Sequence, residues 1–273
     1  MADSDQKQIH YTELKTLEWG SGDVVDGIPI PVAQFLRNIE VNSQRPNLPN
    51  LRTVRPHDGI FLFCAGGPSL ADHLDEIRER QKTDPRVKVF CSNATHDYLI
   101  ERGIIPWAQI VVDPKEEKIE DVRKPHPEVN YMIAAQADPG VFEALRGYKV
   151  MRVFALCNIG GCHLDQELGE RFINPHHPVL GTTYLMGGST TPIRTMELAP
   201  ILGFSKHDFY GLDSCLRDTQ QHYAYGKQRY EHQKVAEVVD AYGRPTGRTF
   251  LTTPSLESQA RQFLKWRRRL RGL

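Results

Sequence analysis

The chain has 273 residues, enough for one large α/β domain or two small ones, and 40 % of them are apolar, enough for a substantial core. Its 34 basic and 34 acidic residues cancel, so no global field draws it to nucleic acid or to a charged membrane surface. No apolar run reaches membrane-spanning length, no leader pattern is read, and the few cysteines suit a reduced, cytoplasmic compartment.

In chain order, Met1–Asp58 is polar, proline-broken at Gly27–Ala33 and rich in Asn, Arg and Pro over Val41–Pro56. It is expected to wrap the rest as an extension (residues 1–58), with one short helix over Val32–Asn38. The α/β domain proper is expected over residues 59–273. It opens with Ile60–Leu70 (IFLFCAGGPSL), a buried apolar strand that runs into Gly66 and Gly67 and then a helix. Pro68 suits the first helical position, Ser69 with Asp72 reads as a capping pair, and Leu70, Leu74 and Ile77 form an apolar stripe. A strand–glycine–helix unit aims backbone N–H groups and the positive helix end at one point, as anion sites do. The same pattern also serves an ordinary tight turn, and it is neither a dinucleotide fingerprint nor a P-loop.

Strands are then expected at Val87–Asn93, Gln109–Asp113, Tyr131–Gln136 and Lys149–Leu156, separated by helical segments at Ala94–Arg102, Lys115–Lys124 and Gly140–Arg146. The alternation predicts a Rossmann-like, doubly wound, mainly parallel α/β sheet. Cys64 and Cys91 read as buried small residues. The Cys157, Cys162, His163 cluster lacks the spacing of a structural zinc site, and the loop Cys157–Gly181 has the length of a binding loop or a surface excursion. Met186–Thr191 (MGGSTT) is a second glycine turn, leading into a helix over Pro192–Leu202. A strand at His207–Leu212 ends at Asp213. Arg217–Tyr230 carries His222, Tyr223 and Tyr225, and histidine is the side chain best poised for proton transfer near neutral pH. A hairpin over Glu237–Thr252 and a C-terminal helix from Pro254 complete the chain. The helix ends in Lys265–Arg271 (KWRRRLR), which is either a solvated helix end or a surface for a phosphate-rich partner such as DNA.

Since such sheets bind ligands beyond the carboxyl ends of their strands, the glycine turn, Asn93, Asp113 and Asp213 are expected on one rim. Taken together, GGPSL, the strand ending in Asn93, the G-I-I-P before the strand ending in Asp113, the GGS turn, the Gly211-Leu212-Asp213 strand end and His222–Tyr225 resemble one family. It groups archaeal 6-hydroxymethylpterin diphosphokinases with bacterial motility-associated flagellin glycosyltransferases, and is similar to bacterial sialyltransferases. The likeness covers Gly59–Tyr225. Its glycosyltransferase branch implies a nucleotide-sugar donor whose phosphate lies on Gly66, Gly67 and Ser69. Asn93 would reach the sugar or ribose, Gly187, Gly188 and Ser189 the nucleotide, and Asp113 and Tyr225 would also line the binding site. His222, Asp213 and Tyr223 would serve the reacting end, with His222 as the base. Its diphosphokinase branch has two acidic residues where Asp113 stands alone here. That alternative brings in Mg2+, with Asp113 and Asp213 as ligands. With no Asp-x-Asp pair at a strand end, a metal-independent transfer is expected for the first branch. A non-catalytic nucleotide-binding protein is the third expectation, and the acceptor is not specified by the residues.

Overall fold

The computed structural model describes residues 30–155, 184–185, 190–217, 221–226, 234–239 and 245–271. Seven strands form one sheet: β1 (His57–Cys64), β2 (Val87–Ser92), β3 (Ala108–Val111), β4 (Asn130–Ala134), β5 (Lys149–Ala155), β6 (Tyr184–Leu185) and β7 (Phe204–Tyr210). All pair in parallel, in the spatial order β6-β5-β4-β3-β2-β1-β7. The chain steps outward from β1 to β6 and then returns to lie beside β1 on its other side. The crevice between the carboxyl ends of β1 and β7 is therefore the topological switch point, where open α/β sheets place ligands.

Alternation along β1 assigns the two faces. Ile60, Leu62 and Cys64 face one layer, with Leu70, Ile77, Tyr98 and Leu99 from α2 (Leu74–Thr83), α3 (Thr95–Ile100) and the turn before α2. Phe61 and Phe63 face the other, against Leu198, Ala199 and Leu202 of α6 (Leu198–Ile201) and its end. Cys64 and Cys91 are fully buried in the first layer, and burial pushes both thiols well up.

Several helical segments differ from the sequence expectation. The helix after the glycines starts as a 3-10 helix, Pro68–His73, before becoming α2. No side chain caps it, and Ser69 turns to Asp213 instead of to Asp72. Glu116–Val122 is 3-10 rather than α-helical, and Pro192–Leu202 divides into α5 (Thr191–Thr195) and α6. At the divide, Thr195 Oγ1 donates back to the Thr191 carbonyl at 2.7 Å, a bond that competes with the helix ladder.

The expected short N-terminal helix is twelve residues long, α1 (Val32–Ser43). Its length is explained by what its polar face holds. The buried Asn38 amide donates to the carbonyls of Pro114 (3.4 Å) and Gln136 (3.1 Å). The Asn42 amide donates to those of Ala135 and Ala137, both at 2.8 Å. The helix thus clamps the loops that follow β3 and β4. Its own C-terminal carbonyls, Asn42 and Ser43, accept from the buried Arg152 guanidinium of β5.

Beyond the sheet, β8 (Lys234–Val239) and β9 (Pro245–Thr252) form the expected antiparallel hairpin, and α4 (Pro139–Ala144) links β4 to β5. The C-terminal helix α7 (Pro254–Arg271) lays Phe263 and Trp266 on Phe209 of β7, with ring centroids 6.0 and 5.8 Å apart. The side chains of Lys265 and Arg267–Arg271 lie outside the described residues, as do the loop Cys157–Gly181 and the turn Gly187–Ser189. Among the described residues no helix is long and apolar enough to cross a membrane.

Candidate functional site

A cleft of about 420 Å³ lies along the carboxyl rim of β7, β1, β2, β3 and β4. Gly66, Gly67, Asn93, Asp113, Asp213, His222, Tyr223 and Tyr225 all line it. The residues that the sequence offered one strand end at a time are therefore brought together. Ser69 is the exception among the described ones. It sits behind Asp213 and lines a second groove beside β7.

At the switch point the glycine turn is already engaged. The Gly67 N–H donates to the Gly211 carbonyl at 2.8 Å. The Ser69 N–H donates to Asp213 Oδ2 at 2.7 Å, and the Ser69 hydroxyl donates to Asp213 Oδ1. A carboxylate from the end of β7 thus occupies the place at the helix start where an anion would otherwise sit. The glycines are required by this closeness. A Cβ on Gly67 would collide with the Gly211 carbonyl oxygen, and one on Gly66 would stand 2.5 Å from Tyr225 Oη. The Gly66 carbonyl accepts the Ala224 N–H at 2.9 Å, which fastens the His222–Tyr225 loop to the turn.

That loop is an aromatic stack. Tyr223 and Tyr225 lie nearly parallel, with centroids 5.3 Å apart, and His222 packs on Tyr223 at 4.3 Å. Tyr225 Oη and Thr95 Oγ1 are 3.5 Å apart. Burial raises both phenols, so they stay protonated. Burial lowers the His222 pKa below its usual 6.5, against the opposing pull of a Cys215 backbone hydrogen bond and the Asp213 charge. At neutral pH its imidazole is neutral and able to accept a proton.

Farther along the rim, Asn93 takes a left-handed conformation with φ +51°. Its side-chain oxygen is buried with no hydrogen-bond partner among the described residues. Its backbone oxygen accepts from the buried Gln109 amide at 2.9 Å, and the same amide donates to the Asp121 carbonyl at 2.7 Å. Gln109 therefore ties the turn after β2 to the 3-10 segment Glu116–Val122. That segment brings Lys118 and Asp121 into the cleft beside Asp113, with Lys118 Nζ 3.4 Å from Asp121 Oδ2. Burial raises the Asp121 carboxyl, as do its neighbours Asp113 and Asp97, and Lys118 only partly offsets them. Burial works against the Lys118 ammonium as well, but the two carboxylates outweigh it and hold it charged.

Lys118, Asp121, Gln136, Arg194 and Phe35 line the cleft and were not singled out in the sequence. Lys118 and Asp121 are hidden in an almost wholly charged run, EEKIEDVRK, where nothing marks the two that face inward. Among the described residues no group of three or more His, Cys, Asp and Glu side chains is placed to hold a metal ion.

Residues 33–219 match the family model described as 6-hydroxymethylpterin diphosphokinase MptE-like, which is more than half of the chain. The chain belongs to the MptE-like family. It is also similar in structure to the MAf glycosyltransferase from Magnetospirillum magneticum AMB-1, with a TM-score of 0.57 and 15 % sequence identity. That match covers 86 % of this chain and 34 % of the other, so the chain spans about a third of that protein's length. At this identity the likeness is one of fold. No curated protein matches the sequence. Both the family's name and that of the similar structure are names of transferases, and the parallel sheet with its C-terminal hairpin and helix agrees with the fold expected above.

Proposed function

We propose that the MptE-like protein is a nucleotide-dependent transferase that moves a sugar from a nucleotide-sugar donor to an acceptor hydroxyl. The observation that carries this reading is a half-buried, neutral His222 near Asp213 at the switch point of the sheet, in a cleft that also holds Lys118. In the reaction His222 takes the acceptor hydroxyl's proton as that oxygen bonds to the sugar's anomeric carbon. The bond from this carbon to the donor phosphate breaks, and the phosphate leaves with the electron pair. Lys118 lies where it would offset the charge that develops on the leaving phosphate. Tyr223 and Tyr225, held protonated, are hydrogen-bond donors to the sugar or the phosphate.

The phosphate position differs from the one implied by the resemblance. The Gly67 and Ser69 N–H groups have protein acceptors, so a phosphate on that turn would have to displace Asp213. Lys118 needs no such displacement, only a shift of its shared ion pair.

A second reading, an ATP-dependent diphosphokinase, gains one specific observation. Asp121 supplies a second carboxylate beside Asp113, which the sequence had left alone. Two carboxylates together with substrate phosphates are the usual way Mg2+ is held, and Asp113 with Asp121 fits this better than Asp113 with Asp213, because Asp213 is bound to Ser69. The metal would neutralise the triphosphate.

Calorimetry and turnover assays with CMP-, UDP- and GDP-sugars, ATP and pterins test both readings. The first expects a nucleotide sugar to bind and be hydrolysed slowly, with activity retained in excess EDTA. Binding of ATP and a pterin alone, with Mg2+-dependent release of AMP, would replace it by the second.

A further inference from the structure

The β3/β4 end of the cleft holds a polar group that the proposed reaction does not use. Gln136 follows β4, is 2 % exposed, and lines the cleft. Its backbone carbonyl is held by Asn38, yet its side-chain amide makes no hydrogen bond among the described residues. The amide is not among the fully enclosed polar atoms that lack a partner, so it opens onto the cleft, where a ligand takes the place of the solvent that otherwise satisfies it. The surroundings say what kind of ligand. Phe35 of α1, Val112 and Pro114 line the same end, and the first two are 2 % and 3 % exposed. Apolar walls around one convergent amide suit a flat ring with a polar edge.

Position along the sheet points the same way. Gln136 and Asp213 follow strands four places apart in the order β4-β3-β2-β1-β7. At about 4.8 Å per strand that is roughly 19 Å, the span of a ligand with its recognised group at one end and its reacting group at the other. Lys118 lies between them, near the end of β3.

We infer that Gln136 reads the hydrogen-bonding edge of a flat heterocycle seated between Phe35, Val112 and Pro114. Its carbonyl accepts from, and its N–H donates to, a ring edge that presents a donor beside an acceptor. A nucleobase and a pterin both carry such an edge, and an amide side chain pairs with it in bidentate fashion. The inference deepens the reading of the same cleft as a nucleotide site. It gives Gln136 the choice among heterocycles, a role the glycine turn at the far end has no means to fill.

The experiment is calorimetry on the full chain with UDP, CDP, GDP, ADP, 6-hydroxymethylpterin and pyrophosphate, for wild type, Gln136→Leu, Gln136→Glu and the exposed control Lys82→Ala. At least one nucleoside diphosphate or the pterin is expected to bind tenfold or more tighter than pyrophosphate, and which of them does so separates the two sources. Gln136→Leu should bring that ratio to within about threefold while pyrophosphate binding stays unchanged, because only the edge contact is lost. The control should keep the wild-type ratio. Gln136→Glu keeps the volume and loses the donors, and it is read in the same way if the leucine variant does not fold. A preference that survives in a folded Gln136 variant overturns the inference and leaves the nucleotide reading intact. Equal binding of pyrophosphate and every heterocycle by wild type also overturns it, while still supporting a phosphate site. Binding of none of these overturns both.

Discussion

The two ends of the cleft contrast in how their polar groups are satisfied. At the β1/β7 end the Gly66–Ser69 turn, the most legible motif in the sequence, is largely engaged by the protein: the Gly67 and Ser69 N–H groups and the Ser69 hydroxyl are taken by Gly211 and Asp213. At the β3/β4 end, in residues that form no motif, the Gln136 amide opens onto the cleft with no partner among the described residues, and Lys118 is shared between two carboxylates. A motif recognisable from local sequence is also one whose local geometry can be completed by the protein itself. Capacity left for a ligand lies where separate segments meet and some groups find no partner.

The largest expected effect tests the closed end. His222→Ala should lower turnover roughly 10²–10⁴-fold while donor affinity stays within about threefold. Because burial lowers the His222 pKa, the wild-type rate should be full at neutral pH and fall only on the acid side of the ordinary histidine range, where the base becomes protonated. A pH–rate profile that keeps this limb in the variant would move the base elsewhere.

Ser69→Ala sharpens the comparison through stability. It removes a hydrogen bond to a carboxylate, and the expected loss is about 1.5–3 kcal/mol in denaturant unfolding, with donor affinity little changed. If affinity falls first and stability holds, the turn is a phosphate cradle after all. Gly67→Asp is a poor probe of this, since any Cβ there meets the Gly211 carbonyl.

At the open end, Lys118→Met should weaken donor binding roughly tenfold, about 1.4 kcal/mol, without a comparable loss of melting temperature. Unchanged affinity would remove the cation from the phosphate's path.

The smallest effect concerns the basic end of α7. Weak DNA retention at low salt is expected to fall when Lys265, Arg267, Arg268 and Arg269 are changed together to Gln, and to fade with added salt in wild type. Truncation before Lys265 would also delete Trp266, which packs on Phe209, so the charge change is the cleaner comparison. Retention equal to wild type in that variant would exclude the tail as a DNA contact.

The sequence by itself determined the α/β alternation, the switch-point residues Gly66, Gly67 and Asp213, and the His222–Tyr225 loop. These are encoded by neighbours in the chain: apolar runs of strand length, glycines where the backbone must come close, a carboxylate at a strand end. Only the tertiary structure decided that Asp213 binds Ser69, that Asn38 and Asn42 make α1 part of the cleft's support, and that Lys118, Asp121 and Gln136 face inward. Each of these pairs residues distant in the chain or selects one face of a short 3-10 segment. No periodic pattern records such choices, because side chains and loops settle into them only when the strands are already side by side.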